Sequence, residues 1–583
     1  MTDVEQLITE NLDVWGSAVK KRGSQGRGSS KKIELYGVKK LRELILELAV
    51  RGLLVPQNIN DEPASILLEK MEAQKNKLIE DGVIKRPKRL PEITEEEIPI
   101  LLPSGWEWER LGNITNYGSS DKAEAKNTEL STWVLELEDV EKETSKLLKK
   151  VRFKERQFKS SKNKFSKGDV IYGKLRPYLD KVLIADEAGV CTTEMIPLRA
   201  YYGVTPGFLR LVMKSPYFKL YANNSTHGMN LPRMGTDKAR LALIPVIPEV
   251  EQPRIVAKVD ELMALCDQLE QQQENSISAH QALVETLLAA LTNAGEKGEF
   301  NQAWARIAEH FDTLFTTEHS IDQLKQTILQ LAVMGKLVPQ DPNDEPASVL
   351  LKKIAAEKER LIKDKKIKKQ KVLPPIGEEE KPFELPEGWE WCRFDQMIDQ
   401  RYPISYGVLV PGPDIENGVP FVRIGDIDID NPPVLPDKSI TSEIDEQYAR
   451  TRLVGGELLM AVVGSIGKLG VVPDSWIGAN IARALCRVMP NKNLSKSYLL
   501  FLLKSEFMQV GFLGDTRTVA QPTLNVGLIR QTLTPVPPIK EQKRIVEEVD
   551  QLMLLCENLK ARIKESQTTQ LHLADAMAEQ AIG

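Results

Sequence analysis

The stretch LRELILELAVRGLLVPQNINDEPASILLEK, from Leu41 to Lys70, returns as LKQTILQLAVMGKLVPQDPNDEPASVLLKK from Leu324 to Lys353, with 20 of 30 positions identical at an offset of 283. The same offset holds at Pro103-Ser104-Gly105-Trp106-Glu107-Trp108 against Pro386-Glu387-Gly388-Trp389-Glu390-Trp391, so the repeating unit is a half-chain and not a short helical module. A second echo closes each half. EQPRIVAKVDELMALCDQLE, starting at Glu251, matches EQKRIVEEVDQLMLLCENLK, starting at Glu541, at an offset of 290. Between the echoes, residues 109 to 247 and 392 to 537 hardly resemble one another. The plan is frame, variable block, frame, variable block. It predicts a pseudo-twofold molecule with two unlike binding surfaces, suited to an asymmetric two-part target. A solenoid of short units would echo many times at short period.

Periodicity sets the elements of the frame. Leu41, Leu44, Ile45, Leu48 and Ala49 have the 3 to 4 spacing of an amphipathic helix, which Gly52 and Pro56 stop. Ser65 and its equivalent Ser348 each open a further helix just after a proline. Ile255, Val259, Leu262, Cys266 and Leu269 are spaced 4, 3, 4, 3, and Ile545, Val549, Leu552, Cys556 and Leu559 repeat the pattern, which is that of a coiled-coil seam. Apolar residues resume at Leu283, Leu287 and Leu291, so the first of these helices is expected to run about 40 residues, roughly 60 Å. Pairing the two seams with each other is the simplest way to bury both; the alternative is that each packs onto a domain core. The variable blocks carry short β-rich runs, Val170-Ile171-Tyr172, Lys181 to Ile184 and Glu457 to Val463, punctuated by Gly and Pro, and read as compact α+β domains.

Composition narrows the class. With 583 residues, 42% hydrophobic and 28% charged, the chain is expected to fold as several globular domains. It has no apolar stretch of membrane-spanning length, and Met1 to Glu10 lacks a signal-peptide pattern, so no membrane association and a cytoplasmic location are expected. The five cysteines never form CxxC pairs, which argues against zinc ribbons and disulfide frameworks; Cys266 and Cys556 read as small buried hydrophobes. The net charge of −5 does not by itself suggest a nucleic-acid binder. Its distribution does. Between Ser145 and Lys167 stand Lys146, Lys149, Lys150, Arg152, Lys154, Arg156, Lys159, Lys162, Lys164 and Lys167 against Glu155 alone, with Phe153, Phe158 and Phe165 interleaved. Within a variable block such a field favours phosphate contact over a merely solvated loop. Residues 16 to 32, rich in Gly, Ser, Lys and Arg, are expected to be mobile, and Lys85 to Arg89 and Lys363 to Lys371 read as linkers.

No phosphate loop of the GxxxxGK[ST] type, no HExxH and no GxGxxG is present. Asn431-Pro432-Pro433-Val434 lacks the aromatic ring with which amino-methyltransferases stack a flipped base, and reads as a turn. The five histidines show no ligand spacing. A catalytic role, a metal and a resident cofactor are therefore not expected in this chain.

The frame-block-frame-block plan, the Gly-Trp-Glu-Trp opening of each block and the Pro-rich exits resemble the specificity subunit of type I restriction-modification systems. Those exits are Ile244 to Pro248 before Glu251-Gln252, and Pro535 to Pro538 before Glu541-Gln542. The resemblance runs from about residue 35 to the end. It implies an α+β protein with two globular target recognition domains, joined by long helices that pair as an antiparallel coiled coil with a pseudo-twofold internal repeat. The implied domains are 1–108, an N-terminal helical conserved region with a mobile basic linker; 109–247, target recognition domain 1; 248–391, a central conserved region; 392–537, target recognition domain 2; and 538–583, a C-terminal conserved helix. It further implies a bipartite double-stranded DNA site, two modification (methyltransferase) subunits and, optionally, two restriction (translocase and endonuclease) subunits, with S-adenosylmethionine, ATP and Mg on those partners. DNA contacts are then expected from Lys149, Lys150, Arg152, Lys154, Lys174, Arg176, Tyr178, Lys181, Asn224, Thr226, His227, Asn230 and Arg233 in the first block. In the second they are expected from Arg423, Ser465, Lys468, Asn480, Arg483, Arg517, Thr518 and Gln521. Arg suits guanine edges, and Asn or Gln suits adenine. The competing reading is a coiled-coil assembly protein whose variable domains bind proteins.

Overall fold

The computed structural model describes residues 3–21, 33–228, 230–370, 372–513 and 523–582. It divides into two units, Met1–Ser278 with Glu565–Gly583, and Ala279–Lys564.

In unit one the repeat stretch forms two helices, Tyr36–Arg51 (α1) and Ala64–Glu80 (α2). α1 buries Leu41, Leu44, Ile45, Leu48 and Ala49, the face its spacing predicts, and ends where Gly52 turns left-handed at φ 72°, a conformation that costs glycine nothing sterically. α2 begins one residue earlier than expected, at Ala64, because its amide donates to the carbonyl of Gly105 (2.8 Å) and Pro63 takes the cap position. The opening strand Glu107–Arg110 (β1) pairs antiparallel with the exit strand, so the two ends of the variable block form one ribbon.

Inside that block lie Lys122–Ala123 (β2), Trp133–Leu135 (β3), Lys162–Phe165 (β4), Val170–Gly173 (β5), Val182–Ile184 (β6), Gly189–Cys191 (β7) and Met195–Leu198 (β8). They form sheets of order β2-β4-β7-β3 and β8-β5-β6. Helices Pro206–Lys214 (α3) and Pro216–Asn224 (α4) follow, each capped by the hydroxyl of the residue before its first proline, Thr205 and Ser215. A two-residue ribbon, Thr226–His227 (β9) with Arg233–Met234 (β10), precedes the exit strand Leu243–Val246 (β11). The 42-residue helix Gln252–Asn293 (α5) then begins, and its residues up to Ser278 belong to this unit.

Unit two repeats the plan with Glu318–Val333 (α6), Ala347–Lys363 (α7) and the opening strand Glu390–Arg393 (β12). The amide of Ala347 again donates to Gly388, at 2.8 Å. Its variable block differs in topology. Ser405–Tyr406 (β13), Leu458–Ala461 (β16), Leu469–Val471 (β17) and Leu485–Val488 (β19) form a sheet of order β13-β19-β16-β17, and Val419–Val422 (β14), Ser439–Ile440 (β15) and Asn480–Ile481 (β18) form another of order β15-β14-β18. Helix Lys496–Lys504 (α8) precedes the exit strand Leu533–Val536 (β20), which pairs with β12, and the 44-residue helix Ile539–Ile582 (α9) follows.

Three joints recur in both units. Arg110, almost wholly buried, donates to the carbonyls of Pro91, Glu92 and Leu241 and to the carboxylate of Glu97; Arg393 does the same with Pro374, Pro375, Gln531 and Glu380. Each arginine thereby clasps its linker to the block. Glu251 accepts from the Trp106 indole at 2.9 Å, and its repeat Glu541 from Gln340 at 3.1 Å. Gln252 accepts from Thr205 N (2.7 Å) and donates to Gly203 O (2.8 Å), while Gln542 accepts from Ser495 N (3.0 Å) and donates to Pro537 O (3.0 Å). The Glu-Gln pair therefore bolts the start of each long helix to its own frame and block.

The two seams differ from the simplest expectation. Ile255, Val259, Leu262, Cys266 and Leu269 lie in the core of unit one with Leu41, Leu44, Ile45 and Leu48 of α1 and with Ala574, Met577 and Ala578 of α9. Ile545, Val549 and Cys556, with Leu552 and Leu559 at the margin, lie in the core of unit two with α6 and with Val284, Leu288 and Leu291 of α5. Each unit thus draws the opening stretch of one long helix and the closing stretch of the other into a single core. The register of burial in α5 also shifts by one residue, since Leu283 is exposed and Val284 buried. Polar clamps repeat: Arg42 pairs with Asp267 and Glu270, and Lys325 with Glu557, the equivalent of Asp267. All five cysteines are free and buried.

Candidate nucleic-acid interface

In the first block the chain leaves β5 in a turn, Lys174 to Lys181, that lies against the β9–β10 ribbon. Leu175 bridges to Arg233, Arg176 N donates to Pro232 O (2.7 Å), and Met234 N donates to Lys174 O (3.1 Å). Lys174, Arg176 and Tyr178 are thereby brought beside Thr226, His227, Asn230 and Arg233. Tyr178, His227 and Asn230 are exposed, as is Asn224 at the end of α4. Arg233 donates to Glu194 at 3.0 Å, and Thr226 Oγ1 donates to Asn223 O at 2.9 Å, so these two are partly committed to holding the ribbon. Arg176 makes no ion pair among the described residues, and its Nε is buried without a partner. Its backbone is left-handed at φ 50°, as is that of Asp180 at φ 51°. Such strain costs about 1–3 kcal/mol per residue and is concentrated where surroundings over-determine a functional turn.

Lys181 departs from expectation. Its Nζ donates to Leu137 O at 2.7 Å, and desolvation lowers its pKa, so this half-buried side chain fastens the turn.

The basic run is largely neutralised by acids that stand outside it in sequence. Lys150 pairs with Asp186 at 2.8 Å and lies 4.7 Å from the Trp133 ring; Arg152 pairs with Glu187 at 2.5 Å. Lys149 approaches Asp139 at 3.6 Å, Lys154 approaches its neighbour Glu155 at 4.0 Å, Arg156 binds Glu138 and Asp139, and Lys162 binds Glu136. Through these pairs Lys150 and Arg152 brace the β3–β7 edge. Lys159, Lys164 and Lys167 are exposed, and none has an ion pair among the described residues. Only the fold separates these exposed lysines from the paired ones.

In the second block the equivalent place is built alike. Val463 bridges to Thr523, and Leu524 N donates to Val462 O (2.8 Å), as Leu175 and Met234 do in the first. Here glycines take the left-handed positions, Gly464 at φ 74° and Gly467 at φ 83°. Ser465 and Lys468 are exposed, although Lys468 Nζ donates to Ile424 O at 3.0 Å. Arg483 is exposed just beyond β18. Arg423 is tied to Asp426 and Asp437.

Asn480 is fully buried, and its side chain is spent on Asp445, Tyr448 O, Thr451 and the amide of Ile481, so it is an internal strut and not a base contact. Arg517, Thr518 and Gln521 lie outside the described residues. Among the described residues no group of three or more His, Cys, Asp and Glu gathers to hold a metal, and no helix is long and apolar enough to cross a membrane.

Comparison with known proteins adds identity to this geometry. The family model of the type I restriction modification DNA specificity domain matches residues 412–566. The chain is 41% identical to the type I restriction enzyme EcoAI specificity subunit of Escherichia coli over 607 residues, spanning 99% of this chain and 100% of that relative. It is 38% identical to the EcoEI specificity subunit of Escherichia coli over 599 residues, with 99% and 100% covered. A chain from a solved type I R-M system is 20% identical with a TM-score of 0.49, over 83% of this chain and 99% of that one.

Proposed function

Because the chain belongs to the type I restriction enzyme specificity subunits, we propose that it reads one bipartite, asymmetric site on double-stranded DNA and carries no chemistry of its own. The first variable block, residues 109–247, reads one half of the site, and the second, residues 392–537, reads the other. Two modification subunits, and two restriction subunits beside them, do the adenine methylation or cleavage, and bring S-adenosylmethionine, ATP and Mg. The protein works in the cytoplasm, with the DNA it reads.

One observation carries this reading. At the same place in both repeats, the turn after a central strand is bridged to the segment that precedes the exit strand, yet the side chains presented there are unlike. Arg176, Tyr178, His227 and Asn230 stand in the first block, and Ser465 and Lys468 in the second. A common frame with different donors and acceptors supports two different base preferences. Two or three bidentate contacts per block, each discriminating by about 1–3 kcal/mol, suffice for a short half-site.

Competition binding tests it. The chain assembled with its modification subunits is expected to select a bipartite sequence from a random duplex pool and to prefer it over scrambled duplexes of equal length. Equal affinity for every duplex would contradict the reading and favour the protein-binding alternative.

A further inference from the structure

Four of the six non-glycine residues with left-handed backbone among the described residues lie in the first variable block, Glu143, Ser145, Arg176 and Asp180. Three of them, Glu143, Ser145 and Asp180, meet around one side chain. Lys214, the last residue of α3 and nearly buried, directs its Nζ to Glu143 O (2.9 Å), Ser145 Oγ (2.8 Å) and Asp180 Oδ2 (3.2 Å). The network closes on itself. Ser145 Oγ donates to Asp180 O (2.6 Å) and accepts from Val182 N (3.0 Å), and Glu143 N donates to Leu179 O (2.9 Å). Lys219 adds a second ammonium 3.2 Å from Asp180. Arg176 belongs to the same turn, its carbonyl accepting from Leu179 N at 2.9 Å.

The second block solves the same problem differently. Where the first has Arg176 in the left-handed position next to the bridged residue Leu175, the second has Gly464 next to Val463. Glycine adopts that backbone without help; arginine must be held in it. An arginine kept at a glycine-like position needs surroundings that over-determine the turn, and the Lys214 network supplies them.

From this arrangement we infer that Lys214 is a positioning residue for base recognition by the first block. It locks the turn from Lys174 to Lys181 to the loop at Glu143 and Ser145, and so fixes where Arg176 and Tyr178 are presented beside the β9–β10 ribbon. The inference rests on the DNA-reading function proposed above. It assigns Lys214 no contact with DNA.

The test selects bound sequences from a random duplex pool with the full chain assembled with its modification subunits, and scores the two half-sites separately. Lys214→Met keeps the apolar stem and removes the ammonium. Asp180→Asn keeps a side chain that tolerates left-handed backbone and removes the carboxylate partner. Both are expected to lower discrimination at the first half-site about tenfold or more, the order of one good base contact, and to leave the second half-site unchanged. Arg176→Ala separates this inference from the function it rests on. If Arg176→Ala flattens the first half-site while Lys214→Met and Asp180→Asn leave it sharp, the positioning role is wrong and the DNA-reading function stands. If Arg176→Ala leaves the first half-site sharp, the reading assigned to this turn fails, and the inference with it. Loss at both half-sites together in Lys214→Met and Asp180→Asn also overturns it, since a local clamp cannot act on the second block.

Discussion

At the scale of single residues, the fold decides between side chains that look equivalent in sequence. Asn480 and Arg483 are three residues apart in one polar stretch, yet one is sealed between Asp445 and Thr451 and the other stands in solvent. Asn480→Ala should therefore destabilise the second block, by about 1–3 kcal/mol for each buried group left unpaired, as read by thermal unfolding. A changed base preference with unchanged stability would return Asn480 to the reading surface. The basic run divides in the same way. If Lys159, Lys164 and Lys167 hold phosphates, replacing all three with Ala should flatten the log–log salt dependence of binding by about 2 to 3 and leave the selected sequence intact. Replacing Lys150 and Arg152 should instead lower stability with little effect on that slope. A slope that responds to Lys150 and Arg152 and not to the exposed three would reverse the assignment. The type and neighbourhood of candidate residues were legible in the sequence. Their partners were not, because Asp186 and Glu187 reach the run from a different part of the chain.

At the scale of elements, the repeat and the period of its apolar residues foretell α1, α6 and the length of α5. The face of Leu41, Leu44, Ile45, Leu48 and Ala49 is buried as its spacing requires. What the period leaves open is the partner. A 4-3 seam serves a coiled coil and a domain core equally, and here each seam is buried in one core together with a helix of its own frame and a closing stretch of the other long helix. The linker clasps went unread because Arg110 and Arg393 follow an unremarkable strand pattern and act on backbone carbonyls 18 and 19 residues upstream. They give a pH prediction. Hydrogen bonds from Arg110 hold the Glu97 carboxyl below the usual carboxylate range, and those from Arg393 do the same for Glu380. A folded value below the unfolded one means stabilisation that is complete above the unfolded carboxylate range and is lost as pH falls through the folded value. Hydrogen exchange in residues 85–97 and 374–380 should therefore accelerate on acidification, and Glu97→Gln should reproduce the effect at neutral pH in the first linker alone. Exchange that ignores both acid and Glu97→Gln would show that the clasp does not restrain the linker.

At the scale of the whole molecule, the chain is one frame written twice around two unlike blocks, and the repeated Glu-Gln joints fix each block to the start of its own long helix. Recognition by such a molecule should be modular if the two blocks read DNA as proposed, because the bridged turn of each block is built from that block's own residues. The plan of the frame was legible from two echoes, at offsets of 283 and 290. The interior of the second block was not: its parallel β14–β18 pair matches the parallel β3–β7 pair of the first block in topology, yet the residues that build the two pairs share no sequence echo. The most direct measurement is to exchange residues 109–247 for the corresponding block of a relative and to map methylated bases in a host that carries the chimera with its modification subunits. One half of the methylated site should change and the other half should stay as it was. A site in which both halves change together would contradict independent reading by two blocks.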